Sequence, residues 1–294
     1  MKLQKGEWNM NRNAIIMAAG MSTRFVPLST EVPKALLKVK NEIMIERQIR
    51  QLQAAGIDEI VVVVGYMKEK FEYLKEKFGV KLVENPYYQK MNNFSTLYVA
   101  REYLKNTFIC SADNYFVKNV FKESSEQSYY AAVYEEGKTE EWCLNCNEEQ
   151  MITKVNVGGN NSWVMKGHVF LNMEFNRVLI PYLESAFATE SMWGKYWEDI
   201  YIEHMNELKL YMKKFDSGII EEFDSLDELR RFDSNYINHT GSAVFAKICR
   251  ELDCREGALV NIIPNKKDGK VTGFQFECHS RVYQYDYQTG LAVK

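Results

Sequence analysis

A chain of 294 residues with 46% hydrophobic and 26% charged residues has the make-up of a folded protein, sized for one large α/β domain with room for a small appendage. A formal net charge of -3 excludes a broad basic field, and with it a non-specific binder of nucleic acid or of an anionic membrane surface. The polar start and the short apolar run from Ala14 to Gly20 exclude a signal core or a spanning helix, so the reducing cytosol is the expected compartment.

Residues 1–12 read as a leader. Asn13–Ala18 is a buried strand that runs into a loop of small residues. From Ile45, apolar positions at Ile49 and Leu52 keep helical spacing, and Gly56 closes that helix. Ile60–Val64 is a β-branched run suited to a strand covered on both faces. A second amphipathic helix follows through Met67, Phe71, Leu74 and Phe78, then a short strand at Val80–Val83. Asn85–Asn93 is a polar loop, Phe94 opens another helix, and Thr107–Ala112 is the next buried strand, ending at Asp113. Strands alternating with helices imply a doubly wound, mainly parallel, Rossmann-like α/β sheet. Ligands bind such sheets beyond the carboxyl ends of the strands, so the loops after Ala18 and Ala112 are expected to face one cleft.

The middle of the chain predicts an antiparallel subregion: Tyr129–Tyr134, Glu141–Cys146, Met151–Val157 and Trp163–Leu171, with a turn at Gly158-Gly159-Asn160-Asn161. Helices at about Phe175–Phe187 and Lys195–Glu207 come next, then strand-like Leu208–Met212 and Gly218–Glu222 and a short helix near Leu226. The nucleotide-handling domain is expected over 13–233. A polar stretch, Asp233–Gly241, reads as a linker, and residues 234–294 as a small α+β appendage. Cys143 and Cys146 have metal-type spacing, but no second pair follows, so zinc and redox roles are set aside and the six cysteines read as free thiols.

The chemistry concentrates in Ala18-Ala19-Gly20-Met21-Ser22-Thr23-Arg24, followed by Pro27 and by Pro33-Lys34-Ala35. Small residues from Ala18 to Ser22 let backbone N–H groups approach a triphosphate. Arg24 offers a planar fork to phosphate oxygens, and Lys34 a compact charge over the phosphoryl group in transfer. The bland alternative for both is a solvated surface charge.

This pattern resembles the nucleotidyltransferase superfamily that includes sugar-1-phosphate nucleotidylyltransferases. Val64-Gly65-Tyr66, Asn92-Asn93-Phe94-Ser95, Ala112-Asp113-Asn114-Tyr115, Glu141-Trp142, Tyr196-Trp197 and Phe223-Asp224-Ser225 bring it closer to the bacterial CTP:phosphocholine cytidylyltransferases, over about residues 13–233. One departure is Ser22, where that family usually has a second glycine.

The resemblance implies transfer of CMP from CTP to phosphocholine, with small molecules as partners, no nucleic acid and no membrane; the oligomeric state is left open. It implies Mg²⁺ on Asp113 and Asp224, a number of carboxylates that this ion accepts. The alternatives are a helix N-cap before Tyr115 for Asp113 and a cap of the helix at Leu226 for Asp224. Asn92, Asn93 and Ser95 are implied contacts to the base or sugar.

A quaternary ammonium is held by aromatic faces and acids. By the same resemblance Trp142, Tyr196 and Glu222 form that box, with Glu222 two residues before Asp224 on one strand face. The choice among Trp197, Glu198 and Asp199 stays open, and the competing view of these rings is ordinary core. The appendage segments Ile262-Ile263-Pro264, Asp268-Gly269 and Phe274–Cys278 are similar to the start of bacterial choline kinases, yet with no HxD motif no kinase activity is expected. A small unrelated β extension is the other reading. For the whole chain, competing functions are a sugar-1-phosphate or phosphoethanolamine nucleotidyltransferase and a non-catalytic nucleotide-binding scaffold.

Overall fold

The computed structural model describes residues 12–122 and 126–293. The expected leader lies outside the described residues except for Arg12, which opens the first strand. The chain packs as two compact units, one built from residues up to Gly20 with Met44–Glu222 and the other from Met21–Ile43 with Phe223–Lys294. This packing division and the expected boundary at 233/234 fall at different places in the chain.

In the first unit, Ile60–Val64 is buried along its whole length, as a strand flanked on both sides and covered on both faces requires. It lies parallel to Arg12–Ala18 on one side and to Lys81–Glu84 on the other. Arg12–Ala18 in turn runs parallel to Asn106–Ser111, with Met17 opposite Ser111. The sheet has seven strands, and four of its six neighbouring pairs are parallel. The mainly parallel α/β reading therefore holds, and the loops after Ala18 and Ser111 leave the same sheet edge side by side. Ile45, Ile49 and Leu52 are fully buried on the helix Met44–Gln53, as their spacing requires.

The antiparallel subregion differs from expectation. Instead of four strands there are two long ones, Tyr129–Cys146 and Ile152–Leu171, paired as one hairpin with several register shifts. Gly158 and Asn161 do take positive φ (78° and 52°), but as irregularities inside the long strand, not as a reversal. Turn-forming residues also make β-bulges, and local sequence does not distinguish the two. The reversal itself sits at Asn147, whose side-chain oxygen accepts from the amides of Glu149 and Met151.

In the second unit the expected linker is ordered. Asp233 is 2% exposed, accepts from the amide of Asn235 and also holds the amide of Lys40 at 2.7 Å. Its polar neighbours serve as caps of short turns, which composition alone does not separate from an open linker. The appendage consists of the helix Ala243–Leu252 and a four-stranded antiparallel sheet from Val260 to Val293. Glu31 binds the start of that helix, taking the Ser242 hydroxyl at 3.0 Å and the amides of Ala243 and Val244. Buried Arg230 donates to the carbonyls of Leu259 and Glu256, at 2.6 and 2.9 Å. The appendage thus packs with the segment that carries Arg24 and Lys34.

Candidate functional site

Ala18 and Ala19 are buried at the end of the first strand, and Gly20 is exposed. The Tyr66 amide donates to the Ala19 carbonyl at 3.1 Å. A Cβ on Gly65 would stand 2.9 Å from that oxygen, so glycine is required for this approach. Met21 is half-buried, and Ser22 adopts the left-handed conformation (φ 46°, ψ 48°). This gives the departure at Ser22 a physical meaning. A glycine occupies that conformation without penalty, whereas serine bears about 1–2 kcal/mol.

In the second unit Arg24 meets Asp224 in a two-pronged contact, Nη1 to Oδ2 at 3.0 Å and Nη2 to Oδ1 at 2.7 Å. The sequence assigned these two residues to different ligands, and the fold pairs them. With the Arg24 side chain 69% exposed, such a pair adds at most about 1 kcal/mol to stability and is free to change partners. The helix-cap alternative for Asp224 fails. Ser225 is the N-cap of the helix Leu226–Phe232, and the Asp224 amide donates to Glu228 in return. Lys34 is only 5% exposed, with its Nζ 5.1 Å from the centre of the Phe25 ring.

Asp113 follows the strand Asn106–Ser111 in a tight turn and leads into a second short strand, Asn114–Phe116, so its helix-cap alternative fails too. That strand pairs with Ile220–Glu222, placing Glu222 opposite Asn114. Because the strand ends at Glu222, the alternation of side chains does not extend to Asp224. Among the described residues no three His, Cys, Asp or Glu side chains form a ready metal cage. Mg²⁺ does not need one. It takes few protein oxygens and completes its shell with water and phosphate, which suits the hard carboxylate donors of Asp113 and Asp224. The pairing of Asp224 with Arg24 places its carboxylate within reach of a positive partner.

The aromatic–acidic cluster forms within the first unit. Trp142 meets Tyr196 edge-on with ring centres 5.9 Å apart, and Tyr196 is 45% exposed. Beside them fully buried Trp197 stacks on Tyr130 at 5.9 Å and 11°. The three residues after Tyr196 are placed differently. Trp197 is core, Asp199 accepts from the Tyr196 amide at 2.7 Å, and Glu198 is the buried acid. Glu198 accepts from the Tyr130 hydroxyl at 3.0 Å and from Asn93 Nδ2 at 3.3 Å. Lys166 pairs with Glu135 at 3.0 Å, and the charge of Glu222 acts on both Lys166 and Tyr130.

Asn92 and Ser95 hydrogen-bond within and around their own loop. Asn92 Nδ2 donates to the Gly194 carbonyl, and its Oδ1 accepts from the Asn93 amide. Ser95 is fully buried between Asn92 and Asn85. Both side chains hold the shape of the loop. Tyr130 was missed because it reads locally as part of an ordinary buried strand; only its hydrogen bond to Glu198 reveals a polar contact there.

Burial pushes the Glu198 carboxyl up to about 7, against the hydrogen bonds from Asn93 and Tyr130. The folded protein therefore holds a proton that the unfolded chain releases near pH 4.5. The associated stability is complete below that pH and is lost as pH rises through about 7. Relative to Glu198→Gln, the wild type should lose on the order of 2–3 kcal/mol between pH 4.5 and 8. Urea unfolding of both proteins across that range checks this, and parallel stability curves would refute it.

Residues 14–150 match the MobA-like NTP transferase domain family. The chain is 36% identical over 220 residues to choline-phosphate cytidylyltransferase of Streptococcus pneumoniae, covering 75% of this chain and 96% of that protein. It is 35% identical over 237 residues to 2-aminoethylphosphonate cytidylyltransferase of Lancefieldella rimae, covering 79% and 96%. Among solved structures, CTP:phosphocholine cytidylyltransferase from S. pneumoniae superposes with a TM-score of 0.74 at 35% identity, over 76% of this chain and 99% of that one.

Proposed function

Since the chain belongs to the cytidylyltransferase family that includes choline-phosphate and 2-aminoethylphosphonate cytidylyltransferases, we propose that it transfers CMP from CTP to phosphocholine, releasing pyrophosphate and forming CDP-choline. The observation that carries the choice of acceptor is the cluster of Trp142 and Tyr196 beside the buried acid Glu198, with Glu222 acting on the same group, Tyr130. Rings and carboxylates suit a quaternary ammonium, which has no proton to donate.

A phosphate oxygen of phosphocholine forms the new bond to the α-phosphorus of CTP, and the bond from that phosphorus to the bridging oxygen of pyrophosphate breaks. The nucleophile is already anionic near neutral pH, so no general base is needed, and positioning with charge neutralisation carries the rate. Backbone N–H groups from Ala18 to Ser22 cradle the triphosphate. Arg24 exchanges its carboxylate partner for phosphate oxygens, and Lys34 offsets charge on the group in transfer. Asp113 and Asp224 are the residues that would hold Mg²⁺, as the resemblance implies, and the ion would supply further charge neutralisation. Asn92, Asn93 and Ser95 give the loop that meets the base and sugar its shape.

Among the described residues no helix is long and apolar enough to cross a membrane. The appendage is assigned no kinase chemistry; its contacts through Glu31 and Asp233 give it a structural part in the unit that carries Arg24 and Lys34.

Pyrophosphate release with Mg²⁺ tests this, pairing CTP, UTP and ATP with phosphocholine, phosphoethanolamine, 2-aminoethylphosphonate and glucose-1-phosphate. Release with CTP and phosphocholine at the highest kcat/KM is expected. Preference for 2-aminoethylphosphonate would keep the reaction and overturn the acceptor. Silence with every pair would overturn the enzyme reading.

A further inference from the structure

The turn at Asp113 is held from below by one buried side chain. Gln48 is 1% exposed, within the buried face of the helix Met44–Gln53. Its Nε2 donates to the carbonyl of Ser111 at 2.9 Å and to the carbonyl of Asn114 at 2.7 Å. These are the last residue before the turn and the first after it, so a single amide group spans Ala112 and Asp113.

The surroundings explain why the turn needs a clasp. Asn114 is fully buried, and neither side-chain atom finds a hydrogen-bond partner among the described residues. On the neighbouring strand Gly167 leaves room for the turn, since a Cβ there would stand 2.3 Å from Ser111 Oγ. The Oε1 of Gln48 is also buried, with no partner among the described residues. Burying an unpartnered amide oxygen is unfavourable, and an apolar side chain of similar size would suit the core better. The residue is therefore explained by its two donated bonds.

Two neighbours on the same helix extend the clasp. Arg47 Nε and Gln51 Nε2 both donate to the Phe116 carbonyl, at 2.8 and 3.0 Å. The short strand so held pairs with the strand that ends at Glu222. The helix Met44–Gln53 thus fixes the backbone of Asp113 directly and that of Glu222 through one ladder of pairing.

We propose that Gln48 is a positioning residue for the reaction, setting the Asp113 turn through its two carbonyl contacts. This rests on the reading of Asp113 as a ligand of the reaction centre. Displacing a reacting group by a fraction of an ångström suffices to lower the rate while leaving substrate binding in place.

The test uses the full chain. Gln48→Glu keeps the shape and loses the donors, and Gln48→Met loses them without adding charge. Both should lower kcat at least 20-fold with KM for CTP and phosphocholine within threefold of wild type. Amide exchange in the segment 111–116 should accelerate at least tenfold in both, while Gln53→Met, which removes a bond from the same helix to the Phe78 carbonyl outside the clasp, should change kcat less than threefold. A kcat and an exchange rate within twofold of wild type would overturn the proposal, as would a lowered kcat with unchanged exchange. If neither Gln48 variant folds, the residue is a core-stability element and the proposal is lost. Should the wild type itself prove inactive, the functional reading fails, whereas the exchange comparison still decides whether Gln48 holds the turn.

Discussion

Replacing Asp113 by asparagine should lower kcat by at least about 10²–10³-fold while leaving the fold intact, the scale seen when one preorganised electrostatic partner is removed from a transition state. Asparagine has the same shape as aspartate, and the turn is defined by its backbone contacts to Gln48. Thermal unfolding should therefore shift by no more than about 1 kcal/mol, as for a surface substitution away from core and caps. What is lost is the negative charge. The Mg²⁺ concentration for half-maximal rate should rise together with the fall in kcat. Pyrophosphate release over a Mg²⁺ titration reads both quantities. A variant within tenfold of wild type at every Mg²⁺ concentration would remove Asp113 from the proposed chemistry.

Lys34→Met should have an effect of similar size, again about 10²–10³-fold in kcat. Lys34 is almost fully buried with its Nζ over the Phe25 ring, and methionine, unbranched and apolar, removes the charge with little change of shape. Lys34→Arg should not rescue the rate. The guanidinium is a wider, planar group that does not occupy the place of a compact ammonium. Single-turnover measurement at saturating CTP separates the two possible defects. A loss confined to KM for CTP, with kcat unchanged, would make Lys34 a ground-state binding residue and contradict its proposed place at the transferring phosphate.

Both predictions concern side chains that were legible as candidates in the sequence, for a physical reason. Loop motifs that cradle phosphate are contiguous and need small residues at fixed places, so Ala18–Ser22, Arg24 and Lys34 stand out in one short reading frame. Where the structure adds to them, it adds partners. Arg24 and Asp224 are two hundred positions apart, and nothing local reveals that they pair. Glu198 looked like one of three interchangeable residues after Tyr196; contacts with Tyr130 and Asn93 from two other elements single it out. Gln48 had a faint signal, a polar residue set between the buried positions Ile45, Ile49 and Leu52. Its role depends on carbonyls more than sixty residues away.

The sequence by itself determined the alternation of strands and helices, the mainly parallel order of the sheet and the phosphate-type loop after the first strand. Those features follow from hydrophobic period, β-branching and small residues, which act over a few positions. Tertiary structure alone decided that positive φ at Gly158 and Asn161 makes irregularities in one long strand and not a turn. It decided too that Asp113 sits in a clasped turn rather than at a helix cap, and that the polar stretch after Phe232 is ordered by Asp233. In each case the same residue chemistry allows two local outcomes, and the choice is made by the long-range hydrogen-bond partner that the packed chain supplies.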